Sequence, residues 1–243
     1  MARMRRAHPL PLLSLLAILI YAAAGLTVGA QQAAAPAAVP LDREPLHHLF
    51  IDNATVRVFK VEVPAGGRTL LHRHDRDYLF VTLGDSDVIN ARQNEPAREL
   101  KLKDGDTAFT PGGFAHFAIN HDKQRPFRNI TIEIVKAAPD PDPERLQMLV
   151  GAGMSVTWLV NDPRAFAELI ELEPGATMPL HEHKRPHLAV PLTDSTLESD
   201  VVGKGKSVVT NHAGEPRWAE GGYSHTLRNT GTTRARWVQI EIK

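Results

Sequence analysis

The chain has 243 residues, 28 Lys plus Arg against 28 Asp plus Glu, 42% hydrophobic residues and no cysteine. That length accommodates one large domain or two of ordinary size. The balanced charge, with no basic run outside the first six residues, argues against nucleic-acid or anionic-membrane partners, and the lack of cysteine excludes disulfides, thiolate ligands and a Cys nucleophile.

At the start of the chain, Arg3, Arg5 and Arg6 precede a largely apolar run from Leu10 to Val28, and Val28-Gly29-Ala30 sets small or modest residues at a cleavage position. This pattern predicts a signal peptide over residues 1–30, cleaved after Ala30, and a periplasmic or secreted protein with no stable membrane association afterwards. The alternative is an uncleaved anchor, because the run is almost long enough to span a bilayer. Residues 31–44, which open Gln-Gln-Ala-Ala-Ala-Pro, read as a disordered leader.

The next elements are β in character. Val56 to Val63 is rich in β-branched residues and bounded by Asp52-Asn53 and by Pro64-Ala-Gly-Gly67. His72-Arg-His74 follows, separated from Gly66 by five residues. Residues i and i+2 of a strand share a face, so both imidazoles point into one space, which suits two ligands of one ion. A second cluster reads Gly105, five residues, Pro111, Gly113, His116 and Asn120. Its glycines permit tight turns, its histidine supplies a third ligand from a neighbouring strand, and its Asn caps a turn. Ile130 to Val135 is a further strand. Residues 137–147 carry three prolines among aspartates and form a stiff linker between two domains, 45–136 and 148–243.

The second half repeats the first. Ala165 to Leu172 matches the early strand; His181-Glu-His183 is separated from Gly175 by five residues; Gly214, Glu220, Gly222, His225 and Asn229 follow; Trp237 to Ile242 is the final strand. His181, His183 and His225 each lie 109 residues after His72, His74 and His116. Short strands with frequent turn signals and no sustained helical periodicity indicate a sandwich or barrel. His47, His48, His121 and His212 fall outside the motifs and are expected at the surface, whereas Trp158, Trp218 and Trp237 are expected in the core.

These motifs resemble those of the cupin superfamily: glycine, five residues, His-x-His and usually Glu; then glycine, five, Pro-x-Gly, two, His, three, Asn. The resemblance covers nearly all of the expected mature chain. It implies an all-β bicupin, two tandem antiparallel jelly-roll barrels, each with a metal in its mouth. The expected ligands are His72, His74 and His116 in one barrel and His181, His183, His187 and His225 in the other. The family's Glu position holds Tyr78 in the first repeat and His187 in the second. Asp77 is adjacent and can replace the carboxylate if the loop shifts register, while strand parity favours Tyr78. Tyr78 and His187 are the catalytic candidates, and Tyr78 and Asp77 the candidates for the substrate pocket. Glu220, standing at the motif's proline position, reads either as a rim carboxylate or as a solvated surface charge.

Imidazole-rich sets suit iron, copper, nickel or zinc better than magnesium or calcium. Iron is the expected ion, with copper, nickel, zinc or manganese as alternatives. Without a Glu ligand the ion keeps its full charge and attracts an anionic chelator more strongly. Three-His centres of this family resemble those of dioxygenases. The expected function is therefore a metal-dependent dioxygenase-type oxidoreductase acting on a small anionic or oxygen-bearing substrate. The alternatives are a non-catalytic module binding a small-molecule ligand and metal sequestration without turnover. A monomer or homodimer is expected.

Overall fold

The computed structural model describes residues 37–137 and 151–243. The expected signal peptide, its cleavage site, leader residues 31–36 and most of the proline-rich linker lie outside the described residues. Nearly everything described is strand or turn. The first half contains β1 (Val39–Pro40), β2 (His47–Asp52), β3 (Val56–Val63), β4 (His72–His74), β5 (Tyr78–Leu83), β6 (Ser86–Arg92), β7 (Arg98–Leu102), β8 (Thr107–Thr110), β9 (Phe114–Asn120) and β10 (Phe127–Ile134). The second contains β11 (Met154–Asp162), β12 (Ala165–Leu172), β13 (Thr177–His183), β14 (His187–Pro191), β15 (Ser195–Val201), β16 (Gly205–Asn211), β17 (Arg217–Ala219), β18 (Tyr223–Asn229) and β19 (Ala235–Ile242). Among the described residues no helix is long and apolar enough to cross a membrane.

Each half is a pair of facing sheets. In the first, the strand orders are β1-β4-β9-β6-β7 and β2-β3-β10-β5-β8; in the second, β13-β18-β15-β16 and β11-β12-β19-β14-β17. All pairings are antiparallel except β1 with β4. This matches the all-β tandem jelly-roll architecture implied by the motifs.

Strand parity explains why the central strands are apolar on both faces. On β3, Val56 and Val58 face one way, and Phe59, Val61 and Val63 the other. Val56, Val58, Leu79, Val81, Ile130 and Ile132 pack with Ala165, Leu188, Val190, Val238 and Ile240 in one continuous core between the barrels. The opposite faces line the lumens. Burial of both faces produces the near-continuous apolar runs of β3, β10, β12 and β19. The pairs Lys60–Glu215 (2.6 Å), Arg236–Asp104 (2.6 Å) and Arg164–Asp77 rim this interface. Partly exposed, they contribute about 1 kcal/mol or less each, so the apolar core carries the association.

Three expectations are corrected here. Residues 39–44 are ordered rather than part of a disordered leader: Val39 pairs with His72, and Leu41 is buried at 3% exposure. Trp158 is 51% exposed and packs edge-on against Phe166 instead of entering the core. Strand parity does not carry from His72 and His74 to Tyr78, because β4 ends at His74 and β5 lies in the facing sheet. Tyr78 reaches the lumen from across the sandwich.

Candidate metal centres

In each barrel a short HxH strand lies against the strand carrying the third histidine. His72 sits directly opposite His116 on β4 and β9, and His181 opposite His225 on β13 and β18. Glycine turns make this approach possible. A Cβ on Gly112 would lie 2.5 Å from the Arg76 backbone, and one on Gly221 would lie 2.4 Å from that of Arg185. The next residues, Gly113 and Gly222, take positive φ and donate their N–H groups to the carbonyls of His74 and His183. Asn120 and Asn229, buried, tie the strand ends: the Asn120 amide donates to the Val63, Pro64 and Arg125 carbonyls, and that of Asn229 to Leu172 and Thr233.

The ligand atoms of His72, His74 and His116 all lie within 4.8 Å of one another, as do those of His181, His183 and His225. In the second barrel the three Nε2 atoms form a triangle with sides of 3.0, 3.1 and 3.2 Å. Ligands about 2.1 Å from one ion stand about 3.0 Å apart at right angles and about 3.4 Å apart at the tetrahedral angle. The triangle therefore fits three ligands on one side of an ion, with the other side open. In the first barrel His74 Nε2 and His116 Nε2 are 3.2 Å apart, and the buried Nε2 of His72 has no hydrogen-bond partner. A divalent cation held by the trio would satisfy that orphaned nitrogen.

The Nδ1 contacts select the tautomer that a metal needs. Nδ1–H donates to the Leu70 carbonyl from His72 (3.0 Å), to Asn90 Oδ1 from His116 (2.9 Å), to the Pro179 carbonyl from His181 (2.8 Å) and to the Ser199 hydroxyl from His225 (2.8 Å). Each leaves its Nε2 lone pair to the ion. The Gln239 amide lies 3.4 Å from Nδ1 of His183, whereas Nδ1 of His74 has no partner.

Burial opposes protonation of these rings. It is the first cause that holds His181 and His183 down to about 4, and, with the neighbouring imidazoles, His225 to about 3. In the first barrel His72 falls to about 4 and His116 to about 2, and His74 lies well below the ordinary value; desolvation leads each time. Both trios are thus neutral and ligand-ready at physiological pH.

The other candidates separate. His187 stands beside the trio, not in it: its ring stacks on His183 at 4.1 Å, Nδ1–H donates to the Arg185 carbonyl (3.3 Å), and Nε2 accepts from the Tyr223 hydroxyl (3.1 Å). This corrects its expected place among the ligands. Tyr78 is buried and stacks on His74 at 4.1 Å as a wall of the first lumen. Asp77 is not a pocket residue: its carboxylate accepts from Gly112 N–H (2.9 Å) and from the Arg164 guanidinium, which turns it towards the interface. Glu220 is exposed and accepts the Trp218 indole N–H (2.7 Å). Trp218 packs against the inter-barrel core and Trp237 is buried, while His48, His121 and His212 are exposed.

His47 corrects the expectation of a surface group. It is buried, its ring centroid lies 4.7 Å from that of His72, and its Nδ1–H donates to buried Glu44 (2.6 Å). No motif marks this pair. Three other site residues carry a positional signal in the sequence. Asn90 and Ser199, which hold the third histidines, are 109 residues apart like the ligands themselves, and Tyr223 lies two residues before His225.

The lumens differ in size. The second encloses about 510 Å³, walled by Met178, Leu197, Val209, Leu227, Trp237 and Ala189, with His183, His187, Tyr223 and His225 on its surface. The cavity at the first trio holds about 60 Å³.

No family profile and no curated protein matches this chain. Solved structures do match. A cupin 2 conserved barrel domain protein from Leptotrichia buccalis superposes with a TM-score of 0.51 at 12% identity, covering 81% of this chain and 88% of that one. A salicylate 1,2-dioxygenase from Pseudaminobacter salicylatoxidans gives 0.57 at 12% identity, covering 81% and 76%. Oxalate decarboxylase from Bacillus subtilis gives 0.58 at 13% identity, covering 78% and 68%. Such likeness concerns the fold, and with the two histidine trios it leads to one conclusion. The chain has the bicupin fold, two tandem barrels of cupin type, each with a cluster of three histidines that could hold a metal ion.

Proposed function

We propose that the protein is an exported, metal-dependent oxidoreductase of dioxygenase type, and that its substrate, a small anionic or oxygen-bearing molecule, meets the ion in the second barrel. The observation that carries this reading is the trio His181, His183 and His225, which has no carboxylate ligand and presents two of its rings, His183 and His225, on the wall of a lumen of about 510 Å³. That volume falls within the usual range for small-molecule sites, roughly 300–1,000 Å³.

Three neutral imidazoles leave a divalent ion its full charge, where a Glu ligand would remove one unit. A transition metal held there, iron first, would supply Lewis acidity and redox chemistry towards dioxygen. The protein's own groups do the rest. The lumen walls are mostly apolar and suit an apolar substrate body. Tyr223 spends its proton on His187, so its oxygen remains an acceptor for a substrate hydroxyl. His187 is in turn held by the Arg185 carbonyl, and Ser199 and Gln239 steady the ligand rings.

The first barrel favours a second role. A cavity of about 60 Å³ beside its trio has room for an ion and water but not for an organic substrate. There the metal is held without turnover.

Elemental analysis of the purified protein, followed by oxygen uptake with diketones, phenolics and small carboxylates, tests the reading. Metal with substrate-dependent oxygen consumption is expected. A metal-replete protein that never consumes oxygen would overturn it in favour of the binding module. Cell fractionation tests export: a protein retained at full length in the cytoplasm refutes that part.

A further inference from the structure

The same strand position is filled differently in the two barrels. In the first, Phe80 on β5 pairs with Ala108 on β8; in the second, Ala189 on β14 pairs with Arg217 on β17. Both members are displaced by the repeat offset, so Phe80 becomes Ala189 and Ala108 becomes Arg217. Cross-strand partners share a face, and here that face is the lumen.

The consequence is visible in the cavities. Phe80, Asn90, Leu100 and Leu102 line both the cavity of about 60 Å³ at the first trio and a separate outer cavity of about 310 Å³ at that barrel's mouth. They are a partition between ion and mouth. In the second barrel Ala189 stands where Phe80 would, and a single lumen of about 510 Å³ runs from His183 and His225 to Arg217. Apart from its histidines, Arg217 is the one basic or acidic residue lining that lumen among the described residues, and it is exposed at the edge strand. The other polar side chains there have partners within the fold: Ser199 with His225, Tyr223 with His187, Gln239 with His183, and Asn211 with Ser195 outside the lumen. Arg217 gives one N–H to the Thr210 carbonyl and has further donors to offer.

We propose that Ala189 and Arg217 are the specificity-determining pair of the second barrel: it receives an organic carboxylate whose apolar body fills the space that Phe80 closes in the first barrel and whose carboxylate pairs with Arg217. A guanidinium beside an apolar chamber matches a ligand with one anionic end and an apolar remainder, since carboxylates engage Arg through charge-assisted hydrogen bonds. This deepens the oxidoreductase reading but is tested separately from it.

The probes are 1-naphthoate and its neutral amide, titrated by fluorescence anisotropy into the metal-loaded full-length protein, with metal content measured on every variant. Wild type should bind naphthoate more tightly than the amide. Ala189→Phe should weaken both at least tenfold with metal content unchanged. Arg217→Gln should weaken naphthoate about tenfold and leave the amide within twofold. Phe80→Ala should create a second binding site. Absence of naphthoate binding to wild type, equal binding by Ala189→Phe, or equal loss of both probes in Arg217→Gln would each overturn the proposal. Probe binding as expected without oxygen uptake by any substrate would defeat the oxidoreductase reading alone. Oxygen uptake that survives Ala189→Phe unchanged would defeat the specificity pair alone.

Discussion

Metal-free protein should be unusually acid-labile. The perturbation is chelation followed by a fall in pH from 7.5 to 5. An unfolded chain protonates its imidazoles near pH 6.5. In the fold, burial holds His72, His181, His183 and His187 to about 4, His225 to about 3 and His116 to about 2, with His74 also well below the ordinary value. The folded values are depressed, so this stability is present above pH 6.5 and is lost as pH falls towards the folded values. At pH 5.5 each of the six rings held to about 2–4 binds roughly 0.9 more protons in the unfolded chain, a slope of about 1.2 kcal/mol per pH unit. Buried carboxylates oppose it. Glu168 is pushed up to about 8 by burial and by the Glu241 charge, and burial also raises Glu133 and Glu241. Such groups hold protons in the fold, so their stability is greatest at low pH and declines as pH rises. Setting Glu168 against those six histidines leaves a net slope of about 6 kcal/mol per pH unit, to which His74 adds and from which Glu133 and Glu241 subtract. Typical domain stability is about 5–15 kcal/mol, so the metal-free fold should fail within about one to three pH units below 6.5. Urea midpoints of chelator-treated protein at half-unit pH steps measure the slope. The triple variant His181→Gln, His183→Gln, His225→Gln should lose about three protons of it. A midpoint flat between pH 7 and 5, or an unchanged slope in the variant, refutes the reasoning.

Replacing His72 and His74 by Ala should empty the first metal site and spare the second, as elemental analysis will show; loss of both ions would mean that the sites are coupled. Bound metal should leave at or below about pH 4, where His181 and His183 protonate, and dialysis across pH with metal readout would show an error in the assigned burial if release centres near 6.5. Gly112→Ala sets a methyl 2.5 Å from the Arg76 backbone; it should cost about 1–3 kcal/mol and lower metal occupancy of the first site alone, checked by urea unfolding and metal analysis. Ile132→Ala, fully buried between the barrels, should cost about 2–5 kcal/mol, and a loss below about 1 kcal/mol would show that the ion pairs, not the apolar core, hold the barrels together.

The duplication, the strand character and both histidine trios were legible in the sequence because each rests on short-range order. His-x-His places two rings on one face by strand parity alone, and the 109-residue offset repeats both motifs without reference to packing. Local signals also set β3 at Val56–Val63 and β12 at Ala165–Leu172. Tertiary structure decided what depends on residues distant in sequence. Glu44 and His47 are buried because β1 and the turn after it close over the HxH strand. His187 leaves the ligand set because Tyr223, 36 residues on, engages its Nε2. Asp77 is drawn away by Arg164 of the other barrel. Which barrel has room for a substrate depends on Phe80 in one lumen and Ala189 in the other. Strand periodicity tells which way a side chain points, whereas the space in front of it is set by whatever the opposite sheet brings there.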